Sequence, residues 1–135
     1  MPALHAVHES DPAKELLKKV GKLNAFELYG NAILIAVYKR PRTARYKTLK
    51  LELADETRKE DEYQGKVGLV LKKGPMAFVD DEHVQFHSQS VEVGDWVVIR
   101  PSEGWALTLT QNEVLCRMVT ESAIRMKIPS PDAVW

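Results

Sequence analysis

A turn followed by a short apolar run constrains the fold of this chain more than any other feature. Gly94 and Asp95 form a tight-turn pair, because glycine tolerates positive φ and aspartate can hydrogen-bond to its own backbone. The next four residues, 96–99, read Trp-Val-Val-Ile, which is the aromatic and β-branched composition of a buried strand. Pro101 ends that strand because it has no N–H to donate to a neighbour, and Gly104 allows a new run to begin. This arrangement is typical of small β-barrels.

The other apolar segments also have the lengths and patterns of strands. Residues 31–38 and 64–71 are almost continuously apolar, which predicts strands buried on both faces. Residues 105–110 alternate and, with 113–119, predict a hairpin, while 123–128 predict a closing edge strand. The predicted core includes Ile33, Ile35, Val67, Leu69, Val97, Ile99 and Leu115. We therefore expect an all-β fold.

One short helix is predicted near the N-terminus. Asp11 is a suitable N-cap and Pro12 a suitable first helical residue, while Gly21 ends the pattern. Between them, apolar residues recur at the spacing of one helical face and include Leu16 and Leu17. Such a face needs an apolar surface to lie on, which the flank of the barrel or a neighbouring subunit would provide. Leu16 and Leu17 are therefore candidate protein-contact residues.

The composition favours a protein partner. The 135 residues suit one domain, and 19 basic against 19 acidic residues give a net charge of zero. No overall field therefore attracts nucleic acid or an anionic membrane, and the balance is compatible with self-association.

The one cysteine, Cys116, lies in an apolar run and predicts a plain core thiol without a disulfide. No run approaches the roughly 20 apolar residues of a membrane span, so we expect a soluble, unexported protein.

Catalytic and metal-binding patterns are not apparent in the sequence. There is no glycine-rich phosphate loop, nucleophile elbow or cysteine pair. His5 with His8 and His83 with His87 could share a metal, but each pair lacks further ligands nearby, and the acidic residues 80–82 could hold a divalent ion but suit a solvated loop better. We expect instead a flexible N-terminal arm, surface histidines and a solvated loop. The prediction is a non-enzyme with no metal, cofactor or small-molecule substrate.

Several segments of the chain form a recognisable series: Gly-Lys-Val-Gly-Leu-Val at 65–70, residues 91–99, and Glu-Val-Leu at 113–115 with Thr-Glu-Ser-Ala-Ile at 120–124. In their order and spacing these segments resemble the chaperonin-10 (GroES-like) family. The resemblance covers residues 30–128 and implies a small, partly open β-barrel whose subunits assemble into a ring. It also implies a roof-like hairpin at 76–90. An N-terminal arm with the helix, 1–29, and a C-terminal tail, 129–135, extend beyond the family pattern.

The segment 39–63 departs from the family, and it lies where the family's partner-binding element would be. Family co-chaperonins carry there a flexible glycine-rich loop with an apolar tripeptide that docks on the chaperonin. Here the segment has no glycine, and Leu49, Leu51 and Leu53 alternate with polar residues as in a strand. These leucines are a rigidified docking motif, part of an ordered arm that pairs with something else, or residues facing the barrel's own core. We take all three as candidate contact residues, with Trp135 as an amphipathic anchor.

The combination of barrel, arms and tail is most similar to the GroES-like proteins encoded by tailed phages. The resemblance implies a structural role in virion assembly, as a capsid-stabilising, decoration or connector-associated component. The alternative is a phage-encoded co-chaperonin that caps a chaperonin ring and assists capsid-protein folding. The expected partners are further copies and other virion proteins, or a chaperonin ring. The expected location is the virion or the cytoplasm of the bacterial host.

Overall fold

Short strands dominate the computed structural model, which describes residues 5–6, 11–38, 43–46, 49–52, 66–100 and 102–134. The elements in chain order are β1 (His5–Ala6), α1 (Pro12–Val20), β2 (Ala32–Val37), β3 (Thr43–Tyr46), β4 (Leu49–Glu52), β5 (Val67–Lys73), β6 (Trp96–Ile99), β7 (Trp105–Leu109), β8 (Val114–Thr120) and β9 (Ile124–Ile128). A 3-10 turn, Glu121–Ala123, joins the last two strands. The prediction of a mostly β domain with one short helix is confirmed.

Within the described residues, the strands form two separate antiparallel sheets. Six strands make the large sheet in the order β7-β8-β2-β5-β6-β9, with β7 and β9 at its two ends rather than paired with each other. Three strands make the small sheet in the order β1-β3-β4. The predicted hairpin of β7 and β8 and the predicted edge position of β9 are both confirmed.

The large sheet carries apolar side chains on both faces. Successive residues of β2 enter two different core clusters: Leu34 and Ala36 belong to one, and Ile33 and Ile35 to the other. The first cluster, on the helix side, also contains Leu69, Trp96 and Cys116, and the second contains Val70, Val97 and Ile99. This two-sided burial explains why the sequences of β2 and β5 are nearly continuous apolar runs rather than alternating ones.

Six of the seven predicted core residues are buried, and Leu115 is the exception. Leu115 is only half-buried, whereas its neighbours Val114 and Cys116 are buried in the first cluster. Leu115 therefore points to the opposite face of β8, where it is paired with the exposed Thr108 of the end strand β7. The prediction for Leu115 was wrong because position beside an end strand limits how many neighbours can cover a side chain.

The helix α1 lies on its own chain's large sheet. It begins as predicted, because the Asp11 carboxylate accepts a hydrogen bond from the Ala13 N–H at 3.0 Å, and it ends at Gly21, where φ is +76°. Leu16 and Leu17 are half-buried against the first core cluster. The flank of the large sheet therefore covers part of this apolar face, as the first of the two alternatives predicts.

The turn at Gly94 and Asp95 connects the loop before it to β6, as the sequence predicts. Gly94 has φ of +95°, and its N–H donates to the Val70 carbonyl at 2.8 Å. The Asp95 carboxylate accepts a hydrogen bond from the Glu92 N–H at 2.8 Å. These bonds hold the start of β6 beside β5, so the turn helps to set the register of β6 on β5.

The segment 76–90 is a loop of turns rather than the predicted hairpin: in the described range 74–95 no residue belongs to a strand. The carboxylates explain the difference. Asp80 accepts from the Phe86 N–H, and Asp81 accepts from the N–H groups of two following residues, each at 2.7 Å. Side chains thus occupy the donors that strand pairing would need. The rings of Phe78 and Phe86 pack edge to face, 5.4 Å apart, and hold the loop together.

Candidate protein-contact surface

The small sheet joins the N-terminal arm to the segment that contains the candidate leucines. In its central strand β3, Arg45 is in register with His5 of β1 and with Lys50 of β4. The sequence predicts a flexible arm at the N-terminus, and that prediction is wrong for residues 5–6, which are hydrogen-bonded into this sheet. Pairing supplies those backbone groups with partners that a free arm would have to find in water.

The register of the small sheet separates polar from apolar residues. Directly paired residues share a face of a sheet, and successive residues alternate between faces. Apolar residues are in register with apolar ones, namely Ala6 with Ala44 and Leu51, and Tyr46 with Leu49; polar residues are in register with polar ones, namely His5 with Arg45 and Lys50, and Thr43 with Glu52. The small sheet, which contains the candidate residues Leu49 and Leu51, is therefore the candidate contact surface.

The structure locates some of the predicted contact residues and not others. Leu49 and Leu51 lie on β4, which forms one end of the small sheet and not part of the large sheet. Leu53 and Trp135 lie outside the described residues. Leu16 and Leu17 pack, partly buried, against the first core cluster of their own chain. Of the six predicted contact residues, the small sheet therefore holds two, Leu49 and Leu51.

Trp105 is a candidate contact residue that the sequence reasoning missed. It begins the end strand β7, is 66% exposed and is in register with Met118. β7 contains no charged residue, whereas β9 at the other end of the large sheet carries Arg125 and Lys127. Charged residues on an end strand hinder unwanted pairing, so β7 is the less protected of the two. The local sequence does not indicate that β7 is an end strand, because its position depends on pairing between segments that are distant along the chain.

The described residues show no geometry for metal chemistry. No group of three or more histidine, cysteine, aspartate or glutamate side chains within them is arranged to hold a metal ion. His83 and His87 are both exposed on the loop 76–90, and His87 has a positive φ of +53°. The acidic residues of the same loop use carboxylate oxygens to cap backbone N–H groups. Their observed role is to shape the loop.

Cys116 is the group with a strongly shifted acidity. Burial raises the pKa of the Cys116 thiol from 9.0 to about 12, because the interior disfavours the charged thiolate. Its side chain is fully buried in the first core cluster and its sulfur lies 3.7 Å from the Val114 carbonyl. The thiol is therefore a core group rather than a nucleophile.

This acidity predicts how stability depends on pH. Above pH 9 the unfolded thiol loses its proton while the folded thiol keeps it up to about pH 12, so the folded state loses relative stability across that range. We expect the free energy of unfolding of the wild type to fall relative to that of Cys116→Ala between pH 9 and 12. Urea titrations of both proteins at several pH values measure this difference. A difference that stays constant above pH 9 would contradict the shifted pKa.

Comparison with known proteins does not assign the chain to a family: no family model matches the sequence, and no curated protein matches it. Within the described residues, no helix has the length and apolar character needed to cross a bilayer.

Proposed function

We propose that this chain is a GroES-like protein of a tailed phage that acts in virion assembly as a structural component, without enzymatic activity. It works through self-association and contacts with other virion proteins. The observation that carries the proposal is the small sheet, in which Leu49 and Leu51 lie on β4, a strand that belongs to the small sheet and not to the large one. A surface of this kind suits protein contact rather than chemistry.

The large sheet supports the fold part of the proposal. An antiparallel sheet with unpaired ends, a tight turn at Gly94 and a long excursion before it are compatible with a partly open barrel. Along the chain, the loop 76–90 corresponds to the segment that the family resemblance assigns to the roof. The two-sided apolar sheet gives the protein a rigid body from which a contact element can be presented.

A phage-encoded co-chaperonin is the second candidate. The family's co-chaperonins dock through a flexible glycine-rich loop, whereas here β3 and β4 pair with each other and β3 also pairs with β1. An ordered sheet favours a permanent structural contact over a loop that folds on binding. A strand with leucines at 49 and 51 would still suit a chaperonin groove, so the two candidates are separated by identifying the partner.

The experiment introduces Leu51→Asp and measures incorporation of the protein into purified phage particles. Burying a leucine at a contact contributes about 1.5–3 kcal/mol, so replacing it with a charged residue is expected to reduce incorporation by about tenfold or more. The matched control is Met126→Asp, which changes an exposed apolar residue, 51% accessible, on the end strand β9 of the large sheet. The control is expected to incorporate normally.

Two outcomes would contradict the structural role. The first is Leu51→Asp incorporated as well as the wild type. The second is a protein that is absent from purified particles but binds a chaperonin ring, with that binding lost in Leu51→Asp and kept in Met126→Asp. The second outcome would assign the co-chaperonin function instead.

A further inference from the structure

Exposed apolar side chains are concentrated in two short segments of the chain, 26–29 and 76–84. Of the eight large apolar side chains that are exposed in the described part of the protein, these segments contain five. They are Phe26, Tyr29, Met76, Val79 and Val84. Single exposed apolar residues are ordinary on a protein surface, whereas a concentration of them is typical of a contact site.

The two segments lie side by side at one end of the large sheet. Ile33, near the start of β2, is in register with Lys73, the last residue of β5, so the chain before β2 and the chain after β5 meet. The Met76 N–H donates a hydrogen bond to the Gly30 carbonyl at 2.8 Å and joins the two segments directly. Together the two segments form the end surface of the protein.

The end surface carries negative charge. Glu27 and the three residues at 80–82 contribute four exposed carboxylates, and neither segment contains lysine or arginine. The ion pairs among the described residues engage other carboxylates, namely Glu92, Asp95 and Glu103. The four carboxylates of the end surface are therefore available to a partner that brings positive charge.

Two lysines at the end of β5 hold the backbone of the end surface in place. Lys72 Nζ donates to the Phe26 carbonyl and so anchors the first segment. Lys73 Nζ donates to the Val91 carbonyl at 2.8 Å and pairs with Glu92 at 3.2 Å, which closes the base of the loop that contains the second segment. Both lysines are half-buried and engaged, so they are not presented to a partner.

The loop 76–90 has a fixed shape before any partner binds. Phe78, His87 and Ser88 have positive φ of 57°, 53° and 67°, conformations that residues other than glycine keep only where surrounding contacts impose them. Phe78 packs against the second core cluster and edge to face against Phe86. A surface that is already ordered loses less conformational entropy when a partner binds to it.

The chemistry of the end surface specifies the partner. Its carboxylates repel nucleic acid and anionic membranes, so the partner is not a polyanion. Lysine and arginine side chains suit it, because their alkyl stems cover apolar groups while their charged heads reach the carboxylates. Apolar residues beside them would bury the exposed aromatic and aliphatic side chains, so that charge sets orientation and apolar burial adds affinity.

We propose that the end surface binds a segment of another protein in which lysine or arginine residues stand next to apolar ones. This inference goes beyond the proposed function, because it adds a second contact surface with its own partner chemistry. The end surface is built from β2, β5 and the segments beside them, so it does not depend on the small sheet.

Binding is tested with a short labelled peptide that repeats lysine, leucine, arginine and serine. One control peptide has serine in place of leucine, and another has glutamate in place of lysine and arginine. Fluorescence anisotropy is expected to show that the wild type binds the first peptide at least about tenfold more tightly than either control, since charge and apolar burial both contribute. Binding is expected to weaken as salt is raised, because the carboxylates are exposed.

A charge variant locates the binding on the end surface. Asp81→Asn with Glu82→Gln removes two charges and keeps the side-chain oxygen at 81 that accepts the backbone hydrogen bonds of the loop. We expect this variant to bind the peptide about fivefold more weakly at low salt. The matched control, Glu15→Gln with Glu113→Gln, removes the same charge from exposed positions elsewhere and should bind as the wild type does.

Two further variants test the apolar part of each segment separately. Tyr29 is 76% exposed and Met76 is 55% exposed, so neither Tyr29→Ser nor Met76→Ser opens a cavity in the core. Each is expected to weaken peptide binding about threefold or more, because the bound peptide buries these side chains. Met126→Ser on β9 is the matched control and should not change binding. Circular dichroism checks that every variant folds.

Three results would overturn the proposal. The first is a wild type that binds the peptide no better than it binds the two control peptides. The second is equal weakening by the charge variant and by Glu15→Gln with Glu113→Gln, because overall charge would then explain the binding. The third is a charge variant that binds the peptide normally but loses self-association in sedimentation velocity, which would assign the end surface to a second copy of the chain. None of these results concerns incorporation of Leu51→Asp into particles, so each would leave the proposed function standing.

Discussion

Gly68→Ala is expected to destabilise the protein by about 3 kcal/mol, at the upper end of the cost of overpacking a core. A Cβ added at Gly68 would lie 2.1 Å from Cγ2 of Ile35 and 3.1 Å from the carbonyl oxygen of Ala36. Ile35 is fully buried in the second core cluster, so its methyl group has no space into which it can move. Urea denaturation followed by circular dichroism measures the loss.

A double-mutant cycle tests whether this contact is the cause. Ile35→Ala alone is expected to cost about 2–5 kcal/mol, because it leaves a cavity between β2 and its neighbours. The same change removes the Cγ2 methyl group that an alanine at 68 would strike. The double variant should therefore be more stable than the sum of the two single changes by at least about 1 kcal/mol. Additive losses would show that the close approach of residue 68 to Ile35 is not the cause of the destabilisation by Gly68→Ala.

Gly104→Ala is expected to have the other largest effect, a loss of about 3–5 kcal/mol from positive φ and a steric clash together. Gly104 has φ of +83°, and an added Cβ would lie 2.2 Å from the Met118 carbonyl oxygen and 2.9 Å from Cγ1 of Val119. The carbonyl belongs to the backbone of β8 and cannot move away without disturbing its pairing with β2 and β7. Thermal or urea unfolding measures the loss.

Gly94→Ala is the matched control for this prediction. Gly94 has φ of +95°, but an added Cβ would meet nothing within 4 Å. It should therefore cost only the backbone strain, about 1–2 kcal/mol. Similar losses for Gly94→Ala and Gly104→Ala would contradict the account, since they would mean that the approach of residue 104 to β8 contributes nothing. A larger loss at Gly104 assigns the difference to that approach.

The elements that the sequence predicts correctly are those with local signals. The helix has a cap at Asp11, proline at its first position and glycine after its last turn, all adjacent along the chain. The two central strands, β2 and β5, are predicted from their runs of apolar residues, which occur because both of their faces are buried. The turn at Gly94 is likewise encoded by two neighbouring residues.

The elements that the sequence predicts wrongly depend on distant neighbours or on competition for hydrogen bonds. The exposure of Leu115 follows from its place beside the end strand β7, which only the order of strands determines. The loop 76–90 has apolar pieces that suit strands, but Asp80 and Asp81 bind the backbone donors first. Pairing of β1 with β3 joins residues about 40 positions apart, and two residues carry no pattern of their own.

The candidate contact surface is only partly encoded in local sequence. Alternation at Leu49 and Leu51 predicts a strand with one apolar face, and β4 confirms the strand. That His5, Arg45 and Lys50 are in register with one another follows only from the pairing of the small sheet, which the local sequence does not predict. Leu16 and Leu17 show the converse case, since an apolar helix face alone does not reveal whether its own chain covers it.

The central claim is that the small sheet contacts another protein, and hydrogen exchange tests it most directly. Amide exchange of Leu49–Glu52 is measured on the free protein and on the protein in assembled particles, with the amides of Ala32–Val37 in β2 as an internal reference. The account predicts stronger protection of Leu49–Glu52 in particles than in the free protein, and unchanged protection of β2, because a docked partner covers the small sheet and leaves the core as it was. Equal protection of Leu49–Glu52 in both states would contradict the account and leave β4 an end strand of the small sheet without a partner protein.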